Sequence, residues 1–265
     1  MTNGSHVFAI GDVHGREDLL VALVADCRLR SEDQAFKAKF VFLGDIFDKG
    51  PKSRGALDFI LSMMDDFPNT ELILGNHDEF ILRILDEPDE IKQMLRLNSW
   101  MVSAGGLATI RSYKIPLDEN ILTSLRDNID KAHLAALRSA KRYVEVGQYI
   151  LVHAGLRPGV ALEDQKPRDL TWIREEFLYS DYDFGKIVVH GHSVTDSYKP
   201  EVYPNRIAID TGAYESDRLT AAHIRPNGDI SFIATVPGKR RIDVEDILPL
   251  RFGTWAQAEK LSIFR

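Results

Sequence analysis

Five short apolar runs in this chain each end on glycine next to aspartate, asparagine or histidine. His6–Ile10 leads into Gly11-Asp12-Val13-His14-Gly15, and Phe40–Leu43 into Gly44-Asp45. Glu71–Leu74 leads into Gly75-Asn76-His77-Asp78, Tyr149–Val152 into His153-Ala154-Gly155, and Ile187–Val189 into His190-Gly191-His192. Apolar runs this short, bounded by glycine, read as buried strands. Glycine lets the backbone turn sharply and come close to a ligand. Strand ends far apart in sequence converge at one sheet edge, which in open α/β sheets is the ligand crevice.

Further strands are expected at Arg206–Ile209, near Leu219–Ile224 and near Ile230–Ala234. Between the early strands, Leu19, Leu20, Leu23, Val24 and Cys27 share one helical face. Ala56, Leu57, Ile60, Leu61 and Met64 share another, with Ser53 as N-cap. This alternation implies α/β layers. The stretch from Glu79 to Lys141 is helical by pattern, broken at Gly105-Gly106 and near Pro116, and reads as an insertion over one end of the sheet. It forms either a covering subdomain or a substrate-selecting lid. No repeat and no Pro/Gly/Ser-rich linker divides the chain, so residues 1–265 are expected to form one domain.

Carboxylate, amide and imidazole are the donors that a pair of borderline divalent metals uses. Each segment alone has a plainer explanation: a turn aspartate, a turn asparagine or a hydrogen-bonded structural histidine. Five strand ends with the same residue set do not. Of the 8 histidines, His14, His77, His153, His190 and His192 lie in these segments, and His6 lies in the first strand. With a net charge of -7, no bulk cationic surface for nucleic acid is expected, so any phosphate must meet local cations. The lone Cys27 allows no internal disulfide and fits a cytoplasmic protein. No run approaches a membrane span, and Met1–Val7 carries no leader pattern, so no membrane partner is expected. Oligomeric state is not legible.

Taken in order, Gly-Asp-Val-His-Gly, Gly-Asp-x-x-Asp-x-Gly, Gly-Asn-His-Asp, His-Ala-Gly and Gly-His-Ser resemble the phosphoprotein phosphatase family of calcineurin-like metallophosphoesterases. The likeness is to its bacterial branch of serine/threonine protein phosphatases and symmetrical diadenosine tetraphosphatases. It runs from about Asp12 to Tyr214 and includes Trp172–Phe177 and Ile209–Tyr214. The resemblance implies a two-sheet β-sandwich flanked by helices, with the helical insertion between the Gly-Asn-His-Asp and His-Ala-Gly motifs. It implies two divalent metals, Mn above Fe or Zn, and hydrolysis by a hydroxide held between them. Asp12 and His14 would bind the first metal, Asp45 would bridge, and Asn76, His153 and His192 would bind the second. His77 would act on the leaving group, with Asp78 holding its ring. Arg174, Lys49 and Asn76 would bind phosphate. Asp48 and His190 would support neighbouring groups, and His6 and His133 would be structural.

The chain departs from the family at Lys49, where arginine is usual. A lysine ammonium is a point charge without the planar fork that grips two phosphate oxygens, so weaker geometric selection is expected. Three functions follow in order: a phosphatase for phosphoserine or phosphothreonine in proteins or peptides, a nucleotide hydrolase acting on diadenosine tetraphosphate, and a phosphate-binding module without catalysis.

Overall fold

The computed structural model describes residues 4–31, 38–238 and 241–254. Residues 1–3 and 255–265, part of the expected single domain, lie outside the described residues, as does the start of the Met1–Val7 stretch. The strands are β1 His6–Ile10, β2 Ala38–Phe42, β3 Glu71–Leu72, β4 Tyr143–Val146, β5 Tyr149–Val152 and β6 Ile187–His190. They continue with β7 Glu201–Val202, β8 Arg206–Ala208, β9 Thr220–Ile224, β10 Ile230–Pro237, β11 Ile242–Ile247 and β12 Leu250–Arg251. The helices are α1 Glu17–Leu29, α2 Ser53–Asp66, α3 Asn76–Leu85, α4 Glu90–Ser103 and α5 Gly106–Ser112. After them come α6 Ile121–Asn128, α7 Lys131–Ser139, α8 Pro167–Trp172, α9 Glu175–Leu178 and α10 Ala213–Ser216.

Two six-stranded sheets result, ordered β11-β10-β9-β1-β2-β3 and β12-β7-β8-β6-β5-β4. β1, β2 and β3 are mutually parallel in the first, and β5, β6 and β8 in the second. Strand alternation explains why the two sheets stack. Val7, Ala9 and Val41 face one way and join Tyr149, Leu151, Val189 and Ile207 in the core between the sheets. Phe8, Ile10, Phe40 and Phe42 face the other way and meet α1 and α2. On the second sheet Ile150, Val152 and Val188 pack against Leu170, Ile173 and Phe177. Each central strand is buried on both faces, hence its near-continuous apolar sequence. This is the expected α/β sandwich with helices on its outer faces.

β4 and β11 were not legible as strands. Both mix apolar and charged residues, as in Tyr143-Val144-Glu145-Val146, because β4 buries only Val144 and Val146 and β11 fully buries none of its residues. The insertion packs Ile81, Leu97, Trp100, Ile110 and Leu137 into the same core as Phe8 and Phe40. The chain then returns beside β3, where Leu74 N donates to Lys141 O at 2.9 Å and Lys141 N to Leu72 O at 2.8 Å.

Candidate metal centre

All five motif segments leave their strands at one edge, and the loops there interlock. His14 N donates to Asp45 O and Gly15 N to Ile46 O, both at 2.8 Å, so the β1 and β2 exits hold each other. His14, Asp45, Asp48, Lys49 and His192 all have positive φ, between 44° and 73°. Non-glycine residues enter this region at a cost of about 1–3 kcal/mol each, and such strain clusters at functional sites. Close approach fixes the glycines too. A Cβ on Gly191 would lie 2.0 Å from Asp12 Oδ1, and one on Gly75 2.2 Å from Asp45 N.

The imidazole hydrogen bonds select one tautomer. His14 Nδ1 lies 2.8 Å from Phe47 O, and His153 Nδ1 lies 2.9 Å from Leu43 O. A carbonyl oxygen only accepts, so both rings carry hydrogen on Nδ1 and keep a lone pair on Nε2. Backbone partners of this kind orient metal-binding histidines. His153 Nε2 faces Asn76 Oδ1 at 2.9 Å, two acceptor atoms that a shared cation would reconcile. His192 Nε2 is buried and has no hydrogen-bond partner. Asp45 stands between the two sets: Oδ2 is 3.6 Å from His14 Nε2, and Oδ1 is 3.4 Å from His153 Nε2. Ligand atoms of Asp45, His153 and His192 all lie within 4.8 Å of one another, as do those of His14, Asp45 and His77. This donor set, buried and preoriented, fits divalent metal.

Electrostatics point the same way. Burial alone would raise the Asp45 pKa, but His153, His77, His14 and His192 outweigh it and hold the carboxylate well below its ordinary value. Burial, with neighbouring Asp210 and Asp45, pushes Asp12 up. Burial pushes His14 down to about 3 against the pull of Asp45, so the ring stays neutral. Burial and then His153 push His192 down to about 2. Asp12, beside the site, accepts His192 N at 3.0 and 3.2 Å. Asp210 adds another buried carboxylate, pushed up to about 6 mainly by burial. Its role was not legible, although it lies in the motif Ile209-Asp210-Thr211-Gly212. Carboxylates packed this closely call for positive charge between them.

One expected role is corrected. Asp78 does not hold the His77 ring. It is the third residue of α3, so its side chain folds back to accept Gly75 N at 3.1 Å, Ile46 N at 2.9 Å and Phe47 N at 3.2 Å. It therefore caps the helix and ties it to the β2 exit. The ring partner is Asp48, whose Oδ2 accepts His77 Nδ1 at 2.8 Å. That carboxylate also accepts Trp100 Nε1 at 2.8 Å and Thr109 Oγ1 at 2.7 Å. Asp45 and Asp48 outweigh burial and raise the His77 pKa. The insertion thus supports the site from behind, through Trp100 of α4 and Thr109 of α5.

Two cations reach the rim. Arg174 donates to Ser193 Oγ and to His192 O, both at 3.2 Å. Lys49 is exposed, with Nζ 3.0 Å from His14 Nε2 and 4.2 Å from the Tyr214 ring centroid. Beside them, half-buried Phe80 and Trp172 pack edge to face at 5.7 Å, Phe80 against His77 and Trp172 against His192. His190 is buried, with Nδ1 on Gly191 O at 3.0 Å, and joins neither ligand group. His133 sits elsewhere, between Tyr113 Oη at 2.6 Å and Asp58 at 3.0 Å. Arg54 already pairs with the nearby Asp130 at 2.9 Å, so this cluster reads as an ion-paired pin between α2 and α7. His6 pairs with His223 at 2.8 Å on β1 and β9. No helix among the described residues is long and apolar enough to cross a membrane.

The chain is similar to several known proteins. A symmetrical bis(5'-nucleosyl)-tetraphosphatase from Dechloromonas aromatica is 30% identical over 57% of this chain, and the matched stretch spans 44% of that relative's length. One from Escherichia coli is 26% identical over 95% of this chain and 82% of its own. Among solved structures, a cold-active protein-tyrosine phosphatase of Shewanella matches with a TM-score of 0.56 at 14% identity, covering 92% of this chain and 80% of that one. A protein serine/threonine phosphatase from Saccharomyces cerevisiae matches with a TM-score of 0.52 at 15% identity, over 95% and 82%. At such identities the structures speak to the fold alone. The calcineurin-like phosphoesterase profile matches residues 5–224, the stretch that contributes every proposed ligand, and the chain belongs to that family of metal-dependent hydrolases.

Proposed function

We propose that this protein hydrolyses phosphoester or phosphoanhydride bonds at a two-metal centre, with a dinucleoside polyphosphate as substrate. The observation that carries the chemistry is Asp45, whose two oxygens face His14 on one side and His153 on the other. Asp12, His14 and Asp45 would hold one ion, and Asp45, Asn76, His153 and His192 the other. Imidazole and carboxylate donors suit Mn, Fe or Zn, with Mn favoured by family likeness. Two such ions neutralise phosphate and lower the pKa of water.

The chain's own residues supply the rest. Lys49 and Arg174 at the rim and the buried Asn76 amide bind phosphate oxygens. His77 has Nδ1 committed to Asp48, so its proton for transfer sits on Nε2. When water adds to phosphorus and the P–O bond breaks, that proton goes to the leaving oxygen, and Asp48 stabilises the imidazolium beforehand. Phe80 and Trp172 offer a partly exposed aromatic wall for a base.

The relatives at 30% and 26% identity, named as bis(5'-nucleosyl)-tetraphosphatases, support the nucleotide reading. The serine/threonine protein phosphatase reading, first in order from sequence, has support only from fold likeness and ranks second. The test is turnover by Mn-loaded protein of diadenosine tetraphosphate, a phosphoserine peptide and an aryl phosphate, with Asp45→Asn as control. Dinucleotide preference is expected. Preference for the peptide would replace the first reading with the second, and two bound ions with no turnover would leave a binding module.

A further inference from the structure

We propose that Lys49 competes with a metal ion for His14, so that the Asp12–His14–Asp45 site fills only after the Asp45–Asn76–His153–His192 site. This rests on the two-metal reading above. The His14 ring has one lone pair, on Nε2, because Nδ1 donates to Phe47 O at 2.8 Å. Lys49 Nζ sits on that lone pair at 3.0 Å. An ammonium has donors only, so the contact is a charge-assisted hydrogen bond to the same electrons an ion would use. Both cannot hold it at once.

The arrangement is built rather than incidental. Lys49 lies at φ 64°, and its N–H donates to Gly105 O at 3.2 Å, so the insertion sets where the side chain starts. Tyr214 lies under the ammonium, 4.2 Å from ring centroid to Nζ, and packs edge-on against the His14 ring at 5.4 Å. A cation over a tyrosine face is held electrostatically. Lysine, imidazole and phenol therefore form one closed group. The other half of the centre has no counterpart. Among the described residues, no lysine or arginine side chain donates to the side chains of Asn76, His153 or His192. Beyond their different donor sets, the halves differ in this: an ion entering at His14 must displace an internal cation. The lysine is free to meet substrate phosphate only once it has been displaced.

The test is calorimetric titration of chelator-treated protein with Mn²⁺, with bound metal counted by elemental analysis. The wild type is expected to bind one ion tightly and a second ~10- to 100-fold more weakly, the range for one hydrogen bond to a charged group. Lys49→Met should tighten the weaker site toward the stronger one and leave the stronger one unchanged. Lys52→Met removes an exposed positive charge nearby without touching His14 and should change neither site. Equal affinities in the wild type, an unaltered weaker site in Lys49→Met, or equal tightening by Lys52→Met would each overturn the proposal while leaving the two-metal reading intact. Failure of the wild type to bind any Mn²⁺ would overturn both.

Discussion

His77 Nδ1 lies 2.8 Å from Asp48 Oδ2, and Asp48 is wholly buried beneath the helical insertion. Trp100 Nε1 and Thr109 Oγ1 donate to the same carboxylate, at 2.8 and 2.7 Å. The group proposed to donate a proton is therefore aimed by a residue from the β2 exit, which helices about fifty residues later hold in place. Asp48→Asn would retain the shape and remove the charge behind the ring. The expected result is a kcat lower by ~100- to 10,000-fold, the range for general acid assistance. Two ions should still bind. Steady-state kinetics with metal analysis checks both parts.

The same pair sets a pH dependence. Burial lowers the His77 pKa, but Asp45 and Asp48 raise it further, for a net upward shift. The proton-donating form is present below that raised value and is lost as pH rises through it. The basic limb of kcat is expected where that form is lost. In Asp48→Asn the limb should move to lower pH, which a pH–kcat profile on both proteins reads.

Gly191→Ala tests the packing of Asp12. The new Cβ would sit 2.0 Å from Asp12 Oδ1, so the carboxylate must move. Loss of one of two bound ions is expected, with activity falling in parallel and the circular dichroism spectrum unchanged. Metal content after gel filtration decides it.

Acid stability should depend on a histidine far from the centre. His223 lies 2.8 Å from His6 and stacks on Phe8 at 4.4 Å. Burial, then Arg225, His6 and Arg30, push it down to about 4 from an ordinary 6.5. The unfolded chain takes up the proton first, so the stability this ring contributes is complete above pH 6.5 and is lost as pH falls toward 4. In His223→Phe the drop in urea midpoint between pH 7 and pH 5 is expected to shrink, measured on both proteins.

The sequence by itself determined the strands that matter and the residues at their ends. Strands buried on both faces must be continuously apolar, and a buried turn toward a ligand needs glycine, so both leave local marks. Phe40–Leu43 followed by Gly44-Asp45 carries both. Half-buried strands such as β4 and β11, interrupted by charge, carry weaker ones. Which aspartate holds His77 was decided only in three dimensions. Asp78 is adjacent in sequence, but the first turn of α3 sends its carboxylate back to Gly75, Ile46 and Phe47. Asp48 is remote in sequence and comes to the ring through the left-handed turn after β2. Asp210 joined the centre in the same way, and Lys49 found its place on His14 only once the insertion and Tyr214 were packed around it. Local pattern records what one element must bury. Partnership between side chains depends on where several elements meet, and only their packing sets that.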